Sequence, residues 1–271
     1  MSIGEGLIVH KTIKERFDDR SDIYFRGIQT GLDIIAKNAE HAFPAVVWDM
    51  IRQSFPDLRG KRVIVPSSGD SIMVYAFYLM GAKVTSCDLS GSQLNNGKKI
   101  ADKNGWDIEF IRQDSMKLDK IPDDTYDLLY TSNGVHVWIH DLQGMYKNFY
   151  RVLKSGGRYI MGEIHPFLRP FDRHNNDKLA VKKPYSDTGP HPNEGVYTYA
   201  WRVQDFINNI SDAGFRITRM EEFTPGTECW DTGFYDNASE AAADKYRKYD
   251  WKLNEWAALP QWFGLSAVKL S

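Results

Sequence analysis

The spacing of apolar positions changes along the chain, and the changes mark its parts. Over Asp33–Ala39 and Ala45–Phe55 apolar residues recur at helical spacing, so residues 1–59 are expected to be mostly helical. Pro44 suits the first turn of the second helix, where its missing N–H costs nothing, and Pro56 with the turn Asp57–Gly60 ends it. From Lys61 the texture becomes short apolar, often β-branched runs bounded by Gly, Pro and Asp. Five such runs, Lys61–Val65, Ala82–Cys87, Asp107–Arg112, Tyr126–Thr131 and Arg158–Ile164, read as strands, the first as a buried one. Helical stretches alternate with them: Ser71–Met80 closed by Gly81, a segment capped by Ser90 and stopped near Asn104 by Gly105, and Asp141–Leu153 ended by Ser155-Gly156-Gly157. Strands alternating with helices across short turns predict a parallel sheet with helices on both faces.

The C-terminal part departs from that rhythm. A helix over Val203–Ala213, a strand over Phe215–Phe223 and a last strand over Gly264–Leu270 are expected there. Two long connections interrupt the pattern, at 165–201 and 225–262. The first holds Pro and His residues with several aromatics and is expected to be functional or mobile, ordering over a ligand. The second contains an amphipathic stretch, Ala238–Leu259, rich in Tyr and Trp.

Composition narrows the class. A chain of 271 residues with 42% hydrophobic and 26% charged positions suits one large α/β domain. A net charge of −2 gives no dominant footprint for nucleic acid. No apolar run reaches the length of about 18 residues that a membrane span needs. Met1–Lys14 lacks the apolar core of a signal peptide, so a cytoplasmic location is expected. The two cysteines, Cys87 and Cys229, make no disulfide framework, and His136, His165, His174 and His191 match no zinc spacing, so no metal site is expected.

In a parallel sheet, ligands bind beyond the carboxyl ends of the strands. The first strand ends in Pro66-Ser67-Ser68-Gly69-Asp70-Ser71, a small-residue loop that lets a ligand approach the backbone near a helix N-terminus. Asp88 ends the second strand and can accept hydrogen bonds from the hydroxyls of a ribose, or serve as a turn aspartate. Asp114 follows the third strand, with Met116 beside it as a packing group for a base. After the fourth strand comes Ser132-Asn133-Gly134-Val135-His136-Val137-Trp138, and after the fifth His165-Pro166. His136 and His165 are the candidate acid–base groups.

The order of these features resembles the class I S-adenosylmethionine-dependent methyltransferases, and Leu153-Lys154-Ser155-Gly156-Gly157 is similar to that family's turn before the fifth strand. Glu163-Ile164-His165-Pro166 and the entry segment Asn38–Ala45 resemble a bacterial small-molecule subgroup of the ubiquinone/menaquinone type. The resemblance covers about residues 40–271. It implies an α/β fold of the Rossmann-like methyltransferase type: a doubly wound, mostly parallel seven-stranded sheet. Residues 1–59 would form a helical cap of the same domain, and 60–271 the methyltransferase domain with lid insertions at about 165–201 and 225–262. It also implies methyl transfer from S-adenosylmethionine to a small-molecule acceptor at O, N, S or C, leaving S-adenosylhomocysteine, in a monomer or homodimer with no nucleic-acid or membrane partner.

The residues implied for the cofactor are Ser67, Ser68, Gly69, Asp70, Asp88, Leu89, Gln93, Asp114, Ser115, Met116, Ser132, Asn133 and Val135, with Tyr24 closing from the N-terminal segment. Trp138, Tyr197, Tyr199, Trp201, Trp230 and Tyr235 are the candidates for the acceptor pocket, as rigid walls with polar tips. The chain departs from the family's glycine loop: Val65 stands at its acidic position, and Ser67 and Ser71 at two of its glycines. That departure leaves two alternatives open, a cofactor-binding protein without catalysis and, with less support, a nicotinamide-dependent oxidoreductase.

Overall fold

A computed structural model describes residues 3–172, 178–224 and 250–270, with side chains from residue 13. Seven strands form one sheet in the order β3-β2-β1-β4-β5-β9-β8. They are β1 (Arg62–Pro66), β2 (Lys83–Asp88), β3 (Glu109–Arg112), β4 (Tyr126–Thr131), β5 (Leu153–Ile164), β8 (Phe215–Phe223) and β9 (Trp262–Lys269). β1 to β5 pair in parallel, while β9 runs antiparallel between β5 and β8. A separate hairpin, β6 (His191–Asn193) with β7 (Val196–Thr198), lies in the first long insertion. The helices are α1 (Ile3–Phe25), α2 (Ile28–Lys37), α3 (Ala45–Ser54), α4 (Ile72–Leu79), α5 (Gly91–Asn104), α6 (Leu142–Val152) and α7 (Val203–Asp212).

The apolar runs of the central strands are long because both sheet faces are covered. Alternate side chains point to opposite faces. Val63, Val65, Leu128, Tyr130 and Ile160 join a core with α2, α3 and α4, whereas Ile64, Leu129, Tyr159 and Met161 join one with α6 and α7. The cap is continuous with the sheet, since Ile35, Phe43, Val47 and Ile51 belong to the first of these cores.

Helix ends follow the expected caps. Ser90 Oγ accepts from Gln93 N at the start of α5, and Gly105 ends that helix with φ +68°. Two boundaries differ from the sequence expectation. α1 falls within the part expected to be mostly helical, but its bounds, upstream of the first delimited periodic stretch at Asp33, were not marked by apolar spacing. β5 begins at Leu153 rather than Arg158, with the expected turn absorbed as a bulge between Tyr126 and Leu128 of β4. There Gly156 takes φ +77°, and a Cβ on Gly157 would lie 2.8 Å from Lys154 O, so glycine is required.

Helix α5 approaches the loop after β1 closely at Gly97. A Cβ there would lie 2.8 Å from Ser71 Oγ and 3.0 Å from Phe110 Cε1. Alanine gains about 1 kcal/mol in helix propensity, but overpacking costs about 1–3 kcal/mol. Gly97→Ala is therefore expected to lower stability by about 1 kcal/mol in urea unfolding. A gain in stability would show that α5 can shift away without cost.

Candidate functional site

A cavity of about 510 Å³ opens over the carboxyl ends of the parallel strands. Its size falls within the range of small-molecule sites. One half is polar and lies over β1, β2 and β3. The loop after β1 turns through left-handed conformations at Ser67 (φ +54°), Gly69 (φ +55°) and Ser71 (φ +66°). Serine hydroxyls brace it: Ser67 Oγ lies 2.7 Å from Ser115 Oγ, and Ser86 Oγ donates to Ser68 Oγ at 2.8 Å. The position of a Cβ on Gly69 meets no atom within 4 Å, so the backbone there faces open space.

Asp88 is buried at the end of β2. Its Oδ2 accepts from Gly69 N at 3.1 Å and its Oδ1 from Ser90 N at 2.8 Å. Burial raises its pKa to about 6, against the lowering effect of the backbone N–H groups of Ser90, Gly69 and Leu89. Gln93 lines the same wall, and its Nε2 is a buried donor with no partner. Asp70 also lines the cavity, accepts from Ile72 N at 3.1 Å and has a pKa raised by burial. Asp114 accepts from Met116 N at 2.9 Å.

The other half is apolar. Ile13 and Phe17 of α1, Val137, Trp138 and Ile139 after β4, and Ile164 at the end of β5 form it, with Arg169 beyond. Phe17 meets Trp138 edge to face at 5.3 Å, and Arg16 lies 5.5 Å over the Trp138 ring. Helix α1 crosses the mouth and is pinned at both sides. Asp18 Oδ1 accepts from Ser90 Oγ (2.6 Å) and Ser92 N (3.0 Å), so it caps α5 from another element. Glu194, in the turn of the β6–β7 hairpin, accepts from Arg16 and Arg20 at 2.6 and 2.7 Å. Burial acts to raise the Asp18 pKa, but the hydrogen bonds from Lys14, Ser90 and Ser92 outweigh it and bring it down to about 2.

The structure brings together most of the residues singled out in the sequence. Tyr24, Ser67, Ser68, Gly69, Asp70, Asp88, Leu89, Gln93, Asp114, Ser115, Ser132, Asn133 and Val135 all line the cavity. Met116 does not: it is buried in the core behind the loop, against the α6 side of the sheet. Among the acceptor candidates Trp138 lines the cavity. Tyr199 is buried and stacks on Trp201 at 5.4 Å, and Trp201 donates to Ile139 O, so this pair supports the wall from behind. Tyr197 points outward, 42% exposed. Trp230 and Tyr235 lie outside the described residues, as does most of the Ala238–Leu259 stretch.

Neither candidate histidine is among the residues lining this cavity. His136 is buried, with Nδ1 2.8 Å from Glu163 Oε2 and Nε2 3.4 Å from Tyr159 Oη. Glu163 Oε1 accepts from Gly134 N and Ile164 N, each at 2.9 Å, so this carboxylate holds the loop after β4 against the end of β5. Burial acts to raise the Glu163 pKa, yet the hydrogen bond and charge of His136 leave it below its ordinary value. His165 Nε2 lies 2.8 Å from Glu222 Oε1, its Nδ1 accepts from Phe167 N, and burial lowers its pKa. Ile13, Phe17, Met73, Val137, Ile139, Ile164 and Arg169 line the cavity without having been singled out. Ile164 and Arg169 sit at and just after a strand end, the one sequence signal that could have found them. No cluster of three or more metal-ligating side chains occurs among the described residues, and no described helix is long and apolar enough to cross a membrane.

Comparison with known proteins places this geometry. A methyltransferase domain model matches residues 66–161. The uncharacterized methyltransferase YbaJ of Bacillus subtilis is 26% identical over 211 residues, 73% of this chain and 77% of that protein. The demethylmenaquinone methyltransferase of Corynebacterium glutamicum is 25% identical over 66% of this chain and 79% of its own length. The chain spans less than half the length of the sterol 24-C-methyltransferases it also matches. Among solved structures, an S-adenosylmethionine-dependent methyltransferase from Mesorhizobium loti superposes with a TM-score of 0.61 at 23% identity, covering 83% of this chain and 98% of that one.

The pinning of α1 is testable without any ligand. Asp18→Ala removes the acceptor for Ser90 Oγ and Ser92 N, and hydrogen exchange over residues 13–25 is expected to quicken while the sheet stays protected. The stability loss is expected to be about 1 kcal/mol. The folded pKa of about 2 lies below the ordinary value of 3.8 that the group has in the unfolded chain. The contribution is therefore complete above the unfolded pKa and lost as pH falls through 2. Unchanged exchange in the variant would mean that Asp18 does not hold the helix.

Proposed function

We propose that this chain, a class I S-adenosylmethionine-dependent methyltransferase, methylates a planar, largely apolar small molecule held over the ends of β4 and β5. The observation that carries the reading is a single cavity with two unlike halves, one polar at β1–β3 and one apolar under α1. The demethylmenaquinone methyltransferase among its relatives acts on a quinone-type ring by its name, which fits the flat apolar half. The serine-substituted loop fits the cofactor, because Ser67 and Ser71 keep the left-handed turns that the family's glycines provide.

The cofactor's needs and the residues present correspond. When bound, S-adenosylmethionine supplies a methyl group on a sulfonium cation. In this reading the Asp88 carboxylate accepts from the ribose hydroxyls, and the orphaned Gln93 Nε2 donates beside it. Ser115 and the Asp114 loop border the adenine. Ser68, Gly69, Asp70, Asn133 and Val135 surround the amino-acid end, with Asp70 in place of the acid that Val65 lacks. Phe17 and Tyr24 exclude water from above, which strengthens the local electrostatics. Trp138, Val137 and Ile164 hold the acceptor face-on for an in-line approach, and such positioning supplies most of the rate.

Among the described residues the acceptor half offers neither carboxylate nor imidazole to take a proton. Asp70, Asp88 and Asp114 all belong to the polar half, and His136 and His165 serve the scaffold. The described lining thus suits an acceptor that reacts without a protein base, such as an ionised phenol or enol. Residues 1–59 and 60–271 act as one domain in this reading, cap and catalytic part sharing a core. A cytoplasmic location and a monomer or homodimer go with it, although the chemistry depends on neither.

Calorimetric titration of S-adenosylhomocysteine tests the proposal. Asp88→Asn is expected to weaken binding by about 10–100-fold, the worth of a charge-assisted hydrogen bond. The folded pKa of about 6 means that protons compete with the ligand from that pH downward. Wild-type affinity is expected to fall about tenfold per pH unit well below 6, and the Asn variant to lose this dependence. Saturable binding with a flat pH profile and no effect of the substitution would sink the assignment of Asp88.

A further inference from the structure

We propose that Arg169 recognises an anionic group on the methyl acceptor, so that the substrate is an acid with a flat apolar body, carrying a carboxylate or a phosphate. The inference rests on the methyltransferase reading above and names the substrate class of that site.

The first observation is placement. Arg169 follows the short 3-10 turn Pro166–Leu168 at the end of β5, where Pro166 and Leu168 are buried and Arg169 N donates to Pro166 O at 3.0 Å. The side chain is part-buried and lines the cavity. In the sheet order β5 stands two strands from β1 and three from β2. At about 4.8 Å per strand, the start of this turn lies about 10 Å from the strand that carries the glycine loop and about 14 Å from the one that ends in Asp88. Arg169 thus belongs to the acceptor side.

The second observation is charge. No carboxylate among the described residues lies within ion-pair distance of Arg169, although Arg16, Arg20, Arg151 and Arg202 each have one. Glu163 feels its charge but has no capacity to spare. Oε1 takes Gly134 N and Ile164 N, and Oε2 takes the backbone N and Nδ1 of His136. Lys183, in the same insertion, has its pKa lowered by burial and further by Lys182 and Arg169, against the pull of Asp187. Lys182, Lys183 and Arg169 thus put cationic groups close to one another in this insertion. A part-buried guanidinium facing an apolar cavity without an anion is costly, and its planar fork matches a carboxylate or phosphate. The walls beside it, Val137, Ile139 and Ile164, ask for an apolar body on the same molecule.

The test uses matched probes on protein saturated with S-adenosylhomocysteine: naphthoate against naphthamide, and naphthyl phosphate against naphthol. In calorimetry one anion is expected to bind wild type at least about tenfold more tightly than its neutral counterpart. The pair that shows the difference identifies carboxylate or phosphate. Arg169→Gln is expected to bring the ratio close to one, and Arg169→Lys to restore part of it, while the affinity for S-adenosylhomocysteine stays unchanged. A ratio near one in wild type, no binding of either anion, or a ratio that survives in the Gln variant overturns the proposal. So does a roughly tenfold loss of S-adenosylhomocysteine affinity in that variant, because Arg169 would then serve the cofactor's own carboxylate. If wild type fails to bind S-adenosylhomocysteine at all, the methyltransferase reading falls first, and this inference with it.

Discussion

One buried carboxylate organises the polar half of the cavity. Asp88 ends β2 and joins the loop after β1, through Gly69 N, to the start of α5, through Ser90 N. Ser90 in turn donates to Asp18, so α1 is tied to the same point. This arrangement is not there for stability. Burial holds the folded pKa at about 6, above the ordinary value of 3.8, so at neutral pH the charged group costs the fold about 3 kcal/mol relative to an exposed aspartate. The cost lies where ligand hydroxyls would offset it. A buried acid held ionised beside an unpartnered buried amide, Gln93 Nε2, is the signature of a site rather than of a core.

Glu163 does the opposite work at the other side of β4. All its acceptor positions are filled from within the chain, by Gly134, His136 and Ile164, and its pKa is lowered rather than raised. It therefore acts as scaffold. It fixes the loop that carries Val135, Val137 and Trp138, and it holds His136 away from the cavity against Tyr159 and Phe206. Two buried acids at the ends of β2 and β5 are thus distinguished by what surrounds them: one has acceptor capacity left for a ligand, the other has none.

That contrast explains which parts of the molecule could be read in advance. Central strands such as β4 were legible because covering both faces makes an unbroken apolar run, and the stops at Gly81, Gly105 and Gly214 followed from backbone chemistry. The residues that line the polar half of the cavity were legible for a similar reason, since topology places strand ends at one edge whatever the side chains are. Residues whose placement depends on side-chain direction were not. Met116 lies next to Asp114 in sequence but turns into the core. Tyr199 and Trp201 are aromatic in a lid insertion, yet they satisfy each other by stacking. Residues 1–59 were legible as mostly helical, but the bounds of α1 were not, because contacts such as Asp18 to α5 and Arg16 and Arg20 to Glu194 are made by charged residues across the fold. Hydrophobic periodicity carries no trace of such contacts.

The loop after β1 shows how a departure from a family pattern can be absorbed. Left-handed backbone at a residue other than glycine costs of order 1–3 kcal/mol, and Ser67 and Ser71 both adopt it. At Ser67 the contact with Ser115 offsets part of that cost, at about 1 kcal/mol, and Ser86 holds the next residue, Ser68, whereas Ser71 Oγ is buried without a partner. Ser67 and Ser68 thus tie the loop sideways to the segment after β3 and to β2, and at Ser67 a glycine would leave it free. The turn is kept, and Gly69 still opens onto the cavity. In the reading proposed above, the acid is handled in the same way. Val65 is buried in the core and could not hold a charge there, whereas Asp70, five positions on, stands on the cavity wall beside the first turn of α4. In this reading the loop has exchanged flexibility for bracing and moved its negative charge along the chain, leaving the backbone path that a cofactor needs in place.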